Sequence, residues 1–181
     1  MSMNLSRRTV GLSAVGLAAL AAMRASAAET QMAGGSWFDM VKAHHAMIAD
    51  NLNMILATSD SQATERTRLQ KHLGYLLTAH SVAEENVLYP ALARMGMTRG
   101  SDMLYMEQAQ AKVGNADLGV MPKGIDAWLA KVSALNTAIL HHAKDEEEAD
   151  LFPKLMSAAS AQENAMLTAD YARQFGSVQR V

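Results

Sequence analysis

The 181-residue chain has no cysteine, which excludes disulfides, thiolate metal sites and cysteine nucleophiles together. Any metal it binds must therefore be held by nitrogen and oxygen. Proline is almost as scarce, at three residues, and runs of β-branched residues are missing. Alanine, leucine, methionine and charged residues dominate instead, a composition that favours helices. Neither a glycine-rich phosphate cradle nor a serine nucleophile elbow occurs. The fourteen methionines form no compact run of the kind that would suggest copper, and most sit where a flexible thioether fills core gaps.

The first 27 residues read as an export signal rather than as part of the fold. Arg7-Arg8 is followed by an apolar run from Val10 to Met23, and Ala25-Ser26-Ala27 supplies small residues at cleavage spacing. The run is too short and too rich in alanine to make a good membrane span. The arginine pair resembles a twin-arginine signal, with the ordinary secretory route as the alternative, and either makes the protein periplasmic or exported. Residues 28–181 then form one domain with a single core. Losing Arg7, Arg8 and Arg24 from the 16 basic residues leaves 13 against 18 acidic ones, a formal charge of −5. No basic patch remains for nucleic acid.

Apolar periodicity predicts an all-α, up-down-up-down four-helix bundle with a short C-terminal helix. Ser36 caps a first helix over about 37–58, with Val41, His45, Ile48, Leu52 and Ile55 inward. A second, over about 62–94, carries Leu69, Leu73, Leu76, His80, Glu84, Val87 and Ala91. Ser101 caps a third helix reaching about Asn115, with a weaker stripe through Met103 or Leu104, Met106, Gln110 and Val113. Residues 114–123 read as a loop. The fourth helix, about 124–156, has the stripe Trp128, Val132, Leu135, Ile139, His142 and Glu146. Ser160 and Glu163 form a capping box for a tail helix laid across the bundle, with Leu167 or Tyr171 over one end. Pro90 and Pro153 predict a kink or a helix end beyond each histidine–glutamate pair.

His80/Glu84 and His142/Glu146 repeat one spacing of four, which places an imidazole and a carboxylate on one helix face. With His45 they make five polar groups on apolar stripes of three helices. An unpaired buried carboxylate is costly, and a cation resolves that cost. The bland alternative is ordinary His–Glu pairing at a hydrated end of the core. His44 continues the first-helix face nearly as well as His45, and His72 reads as a surface residue.

These segments, Lys42-Ala43-His44-His45, His80 to Tyr89-Pro90 and His142 to Phe152-Pro153, resemble the hemerythrin family in its bacterial HHE cation-binding form. The resemblance implies a four-helix bundle around non-haem iron, two ions or one, that binds dioxygen or a related small ligand such as peroxide or nitric oxide. It implies His45, His80, Glu84, His142 and Glu146 as ligands, with both glutamates bridging. The third helix departs from the family: Gln108 stands where a histidine is expected. Glu107 is the expected replacement ligand, with Gln108 hydrogen-bonding behind it and Gln110 the next inward candidate. A peroxide-consuming or ferrous-oxidising enzyme is one competing role, and a metal buffer or interaction bundle another. No partner protein can be read, and no stable membrane insertion is expected once the signal is cleaved.

Overall fold

The computed structural model describes residues 35–178, so the leader read from residues 1–27 lies outside the described residues. The architecture is all-α: a four-helix bundle with an added C-terminal helix. The first bundle helix is α1 (Trp37–Leu56), opened by a capping box between Ser36 and Asp39. The second is built from α2 (Ala63–Ala83), a π-helical turn over Glu84–Leu88 and α3 (Tyr89–Arg94). The third is α4 (Thr98–Val120). The fourth is α5 (Asp126–His141), a longer π-helical stretch over His142–Leu151 and α6 (Phe152–Ala158). The tail is α7 (Ala161–Gly176), opened by the Ser160–Glu163 capping box.

Two apolar cores fill the bundle. One gathers Trp37, Val41, Leu88, Leu92, Leu104, Phe152 and Tyr171. The other gathers Ile48, Leu52, Leu73, Leu118, Trp128 and Val132. Between them, in sequence along α1, α4 and the second and fourth bundle helices, lies a buried polar belt of His44, His45, His80, Glu84, Gln108, His142 and Glu147. The helix α7 closes the side of the belt near α1. It is tied there by Trp37 Nε1 donating to Asn164 Oδ1 at 2.8 Å and by Trp37 N donating to Thr168 Oγ1 at 3.0 Å. Leu167 and Tyr171 are buried, as the sequence predicts.

The helix α4 differs from expectation at both ends and on its inner face. It starts before Ser101, which is buried and donates to the Tyr89 carbonyl at 2.9 Å rather than capping. It also runs through the expected loop to Val120. Turn-favouring residues are held helical there by tertiary partners: the amide nitrogen of Gln70 bonds Asn115 O at 3.1 Å, and Lys123 Nζ bonds the carbonyl of Gly119 at 3.0 Å at the helix end. Gly114 permits close packing, since a Cβ there would stand 3.1 Å from Leu135 Cδ1. The inner stripe is Ser101, Leu104, Gln108, Asn115 and Leu118, whereas Met106 and Val113 are exposed. Three of those five residues are polar, so apolar periodicity could not reveal the stripe.

The two prolines stand at an irregularity in each long helix, and the helix end follows at Arg94 and at Ala158. Each proline sits in the first turn of a resumed α-helix, just after a residue whose N–H reaches back five positions: Tyr89 N to Glu84 O, and Phe152 N to Glu147 O. A proline near the start of an α-segment loses a donor that had little use there, and the wide turn before it gives room for the ring.

Candidate metal centre

Four buried side chains converge at the centre of the belt. His45 from α1, His80 from α2, Glu84 from the first π turn and Glu147 from the second each offer a ligand-type atom, and these atoms lie within 4.8 Å of one another. His45 Nε2 is 3.0 Å from Glu147 Oε2 and 4.0 Å from Glu84 Oε1, while His80 Nε2 is 3.0 Å from Glu84 Oε2. Three of these atoms, His45 Nε2, Glu84 Oε1 and Glu147 Oε2, are fully buried without a hydrogen bond of acceptable geometry. Native interiors rarely leave such groups unsatisfied, and three facing one another mark the place of a cation.

Every inward imidazole is held from behind. His45 Nδ1 bonds Glu148 Oε1 at 2.7 Å, His142 Nδ1 bonds Glu107 Oε2 at 2.7 Å, and His80 Nδ1 lies 3.3 Å from Tyr171 Oη. Each ring therefore presents Nε2 to the belt, the arrangement by which outer carboxylates and hydroxyls orient metal-binding histidines. His142 Nε2 lies beside the cluster, 3.2 Å from Glu147 Oε1. His44 is buried but turned away. It stacks on Phe175 with ring centroids 3.6 Å apart and bonds Tyr171 Oη at 2.8 Å.

The proton distribution fits a site shaped for positive charge. Burial pushes the His45 imidazole down, but the carboxylates of Glu147 and Glu148 outweigh it and hold the group up at about 9. Burial is likewise overcome at His142, which Glu147 raises to about 10. Burial raises Glu147, yet His142 and His45 pull it below the ordinary carboxylate range. Glu84 is pushed well up by burial and by the neighbouring Glu147 charge, and His80 well down by burial and His45. Burial, with His80 and His45 adding to it, lowers His44 to about 2. The Glu147 carboxylate thus favours positive charge at the centre of the belt.

The structure brings together His45, His80 and Glu84 as the sequence predicts, with His142 adjoining them. It does not bring Glu146 there. Glu146 is half-buried and faces His141 Nε2 at 3.3 Å, and Glu147 takes the inward place. The cause is the π-helical stretch, in which residues five apart share a face, so His142 aligns with position 147. Glu107 is also outside the cluster, because its carboxylate is committed to His142 Nδ1. Gln110 is exposed at the rim of the cavity described below. Gln108 is buried and hydrogen-bonds a cluster residue rather than standing in it: its amide nitrogen donates to Glu84 Oε2 at 2.5 Å, while Ser81 Oγ donates to its Oε1 at 2.7 Å.

From the sequence, Glu147 and Glu148 read as a solvated acidic face, one of whose members could replace a neighbour if the helical register slips, and Tyr89 and Tyr171 have no role at the site. Tyr89 Oη lies 2.8 Å from Glu147 Oε1 and 3.1 Å from Glu84 Oε2. One signal was available: Glu84 and Glu147 each stand five residues before an aromatic-proline pair, Tyr89-Pro90 and Phe152-Pro153. Counting back from those pairs selects Glu147 over Glu146. A cavity of about 260 Å³ adjoins the cluster, bordered by His45, His80 and His142 and walled by Ile48, Leu77, Leu135 and Ile139.

A helical bundle with histidines and carboxylates turned into its core defines a metal-binding bundle protein. The chain belongs to the hemerythrin family: the Hemerythrin HHE cation binding domain matches residues 38–168. The donor set, imidazole and carboxylate without thiolate, suits the family's iron. A protein named DNA nickase from Nostoc sp. (strain PCC 7120 / SAG 25.82 / UTEX 2576) is 25% identical over 120 residues, covering 65% of this chain and 34% of that protein. The chain thus spans about a third of that relative's length. No solved structure matches the chain.

Proposed function

We propose that the protein is an exported non-haem iron protein that binds dioxygen, or a related small ligand such as peroxide or nitric oxide, at two irons that His45, His80, His142, Glu84 and Glu147 would hold. The observation that carries this reading is the set of three buried ligand-type atoms facing one another, His45 Nε2, Glu84 Oε1 and Glu147 Oε2, none of which makes a hydrogen bond of acceptable geometry. His45 and His80 would hold one iron, and His142 the other. Bound iron supplies an open coordination position and a redox-active centre for a small ligand.

The chain's own residues do the rest. Glu148 and Glu107 fix the imidazoles of His45 and His142 through Nδ1, and Gln108 fixes Glu84. The apolar wall of the cavity admits a small uncharged molecule while restricting water beside the belt. Buried ligands held this way favour a specific site over the loose, nonselective uptake of a metal buffer. An enzymatic role that relies on Glu107 as an added oxygen ligand is not favoured, because its carboxylate bonds His142 Nδ1. DNA nicking stays with the relative so named, since the shared segment is a minority of that protein.

Protein purified from its native compartment is expected to carry iron. After anaerobic ferrous reconstitution it should develop a charge-transfer band on exposure to oxygen. Persistent absence of both would overturn the reading. Export is tested separately by sequencing the N-terminus of the purified protein, which should begin at Ala28.

A further inference from the structure

Tyr89 is fully buried, and its hydroxyl sits among the groups of the second half-site. It lies 2.8 Å from Glu147 Oε1, 3.1 Å from Glu84 Oε2 and 3.3 Å from His142 Nε2. Glu147 divides its oxygens: Oε2 faces His45 at 3.0 Å, and Oε1 faces His142 and Tyr89. The first π turn causes this placement, since Tyr89 N bonds Glu84 O and so the phenol leaves the helix on the same face as the Glu84 carboxylate.

The third bundle helix offers nothing to complete a second metal position. The Glu107 carboxylate is committed to His142 Nδ1. The Gln108 carbonyl oxygen is taken by Ser81, which turns the amide N–H groups inward, and an N–H group is not a metal ligand. One of those N–H groups donates to Tyr89 Oη at 3.0 Å. Burial and the carboxylates of Glu147 and Glu84 push the phenol well above its ordinary range, so only a cation held among those carboxylates would release its proton.

We propose that Tyr89 is an iron ligand, its phenolate oxygen joining His142 Nε2 and one oxygen each from Glu84 and Glu147 in place of the histidine that the third bundle helix lacks. The inference rests on the iron-centre reading above. On binding, a metal–oxygen bond forms at Oη as the O–H bond breaks. The proton leaves past Gln108 and His142, which line the cavity, to solvent, and no electron is transferred. Phenolate ligation suits ferric over ferrous iron, because the harder ion favours an anionic oxygen donor.

The test loads the full chain with ferrous iron under anaerobic conditions, oxidises it with ferricyanide, and reads iron per chain, visible absorption and tyrosine phenolate vibrations by resonance Raman. Two irons per chain with a phenolate-to-ferric band are expected. Tyr89→Phe should lose the band and retain one iron with an unchanged helical circular dichroism spectrum. Tyr105→Phe should keep both irons and the band, because Tyr105 packs edge-on against the Tyr89 ring while its hydroxyl donates to the Glu85 carbonyl outside the cluster. If Tyr89→Phe does not fold, Gln108→Leu keeps Tyr89 but removes its N–H donor, and should shift the band. Tightly bound iron with no phenolate band, or a band that survives Tyr89→Phe unchanged, overturns the proposal while leaving the iron centre standing. No iron uptake at all overturns both.

Discussion

Adjacent glutamates at 146 and 147 have opposite environments, one facing solvent and His141, the other wholly enclosed between His45 and His142. Substituting Glu147→Gln keeps the volume but removes the negative charge that balances two imidazoles. Iron affinity is expected to fall by about 100-fold or more, read by competition with a chelator of known strength. Glu146→Gln should stay within about twofold, as expected of a polar surface change. Equal losses in the two variants would mean that the fourth-helix register is wrong. Gln108 illustrates the limit of residue type as a guide. Its position in the sequence gives it a hydrogen-bonding role near the site, but only the structure shows that its partners are Ser81, Glu84 and Tyr89.

The elements that decide the site are the two π-helical segments. Each is an interruption in an otherwise regular helix, a feature common at functional sites, and each aligns a glutamate with the aromatic five residues on. A regular α-helix over 142–151 would align position 146 with His142, which is what a spacing of four predicts. Deleting exposed Asp145 should relax the stretch toward α-helix and bring the present Glu147 to a spacing of four from His142. Iron binding is then expected to survive within about tenfold. Inserting one alanine at the same place should rotate the carboxylate away by about 100° and abolish tight binding. Metal titration of both variants checks this, and tolerance of the insertion would refute the alignment argument.

Across the whole molecule, two apolar cores hold a polar belt between them, so the belt's charge state couples to folding. In the metal-free protein His45 is raised to about 9 and His142 to about 10. Their contribution to stability is complete below the ordinary histidine value of about 6.5 and is lost as pH rises through about 9 to 10. His44, lowered to about 2, acts oppositely and costs stability as pH falls below about 6.5. Glu147, also lowered, gives stability that is present above the ordinary carboxylate value and lost as pH falls through its folded one. Metal-free melting temperatures should therefore peak near pH 6.5, whereas iron requires neutral imidazoles and should move the maximum upward. Melts with chelator and with iron over about pH 5 to 10 check this, and coincident maxima would sink it.

At the far end of the molecule, buried Arg66 ties two connections together. It donates to Thr58 Oγ1 at 2.8 Å and to the Lys123 carbonyl at 2.5 Å, and lies over the Trp128 ring. Arg66→Met should cost about 3 kcal/mol, from charge-assisted hydrogen bonds lost and two connections released, or about 6–12 °C in melting temperature. Iron stoichiometry should not change, because this end is remote from the belt.

The sequence by itself determined the bundle, its inward stripes on the first and second helices and on the fourth as far as His142, the caps at Ser36 and Ser160, and three of the four residues in the central cluster. Those features follow from local chemistry: apolar spacing, capping side chains, and polar residues too costly to bury without a purpose. Tertiary structure decided the rest. It widened two helices into π turns and so exchanged Glu146 for Glu147. It buried the polar stripe of α4 against partners on other helices, and it brought Tyr89 between two carboxylates that lie 63 positions apart in the chain. A spacing rule assumes one helical pitch, and the pitch here was set by what the side chains had to reach.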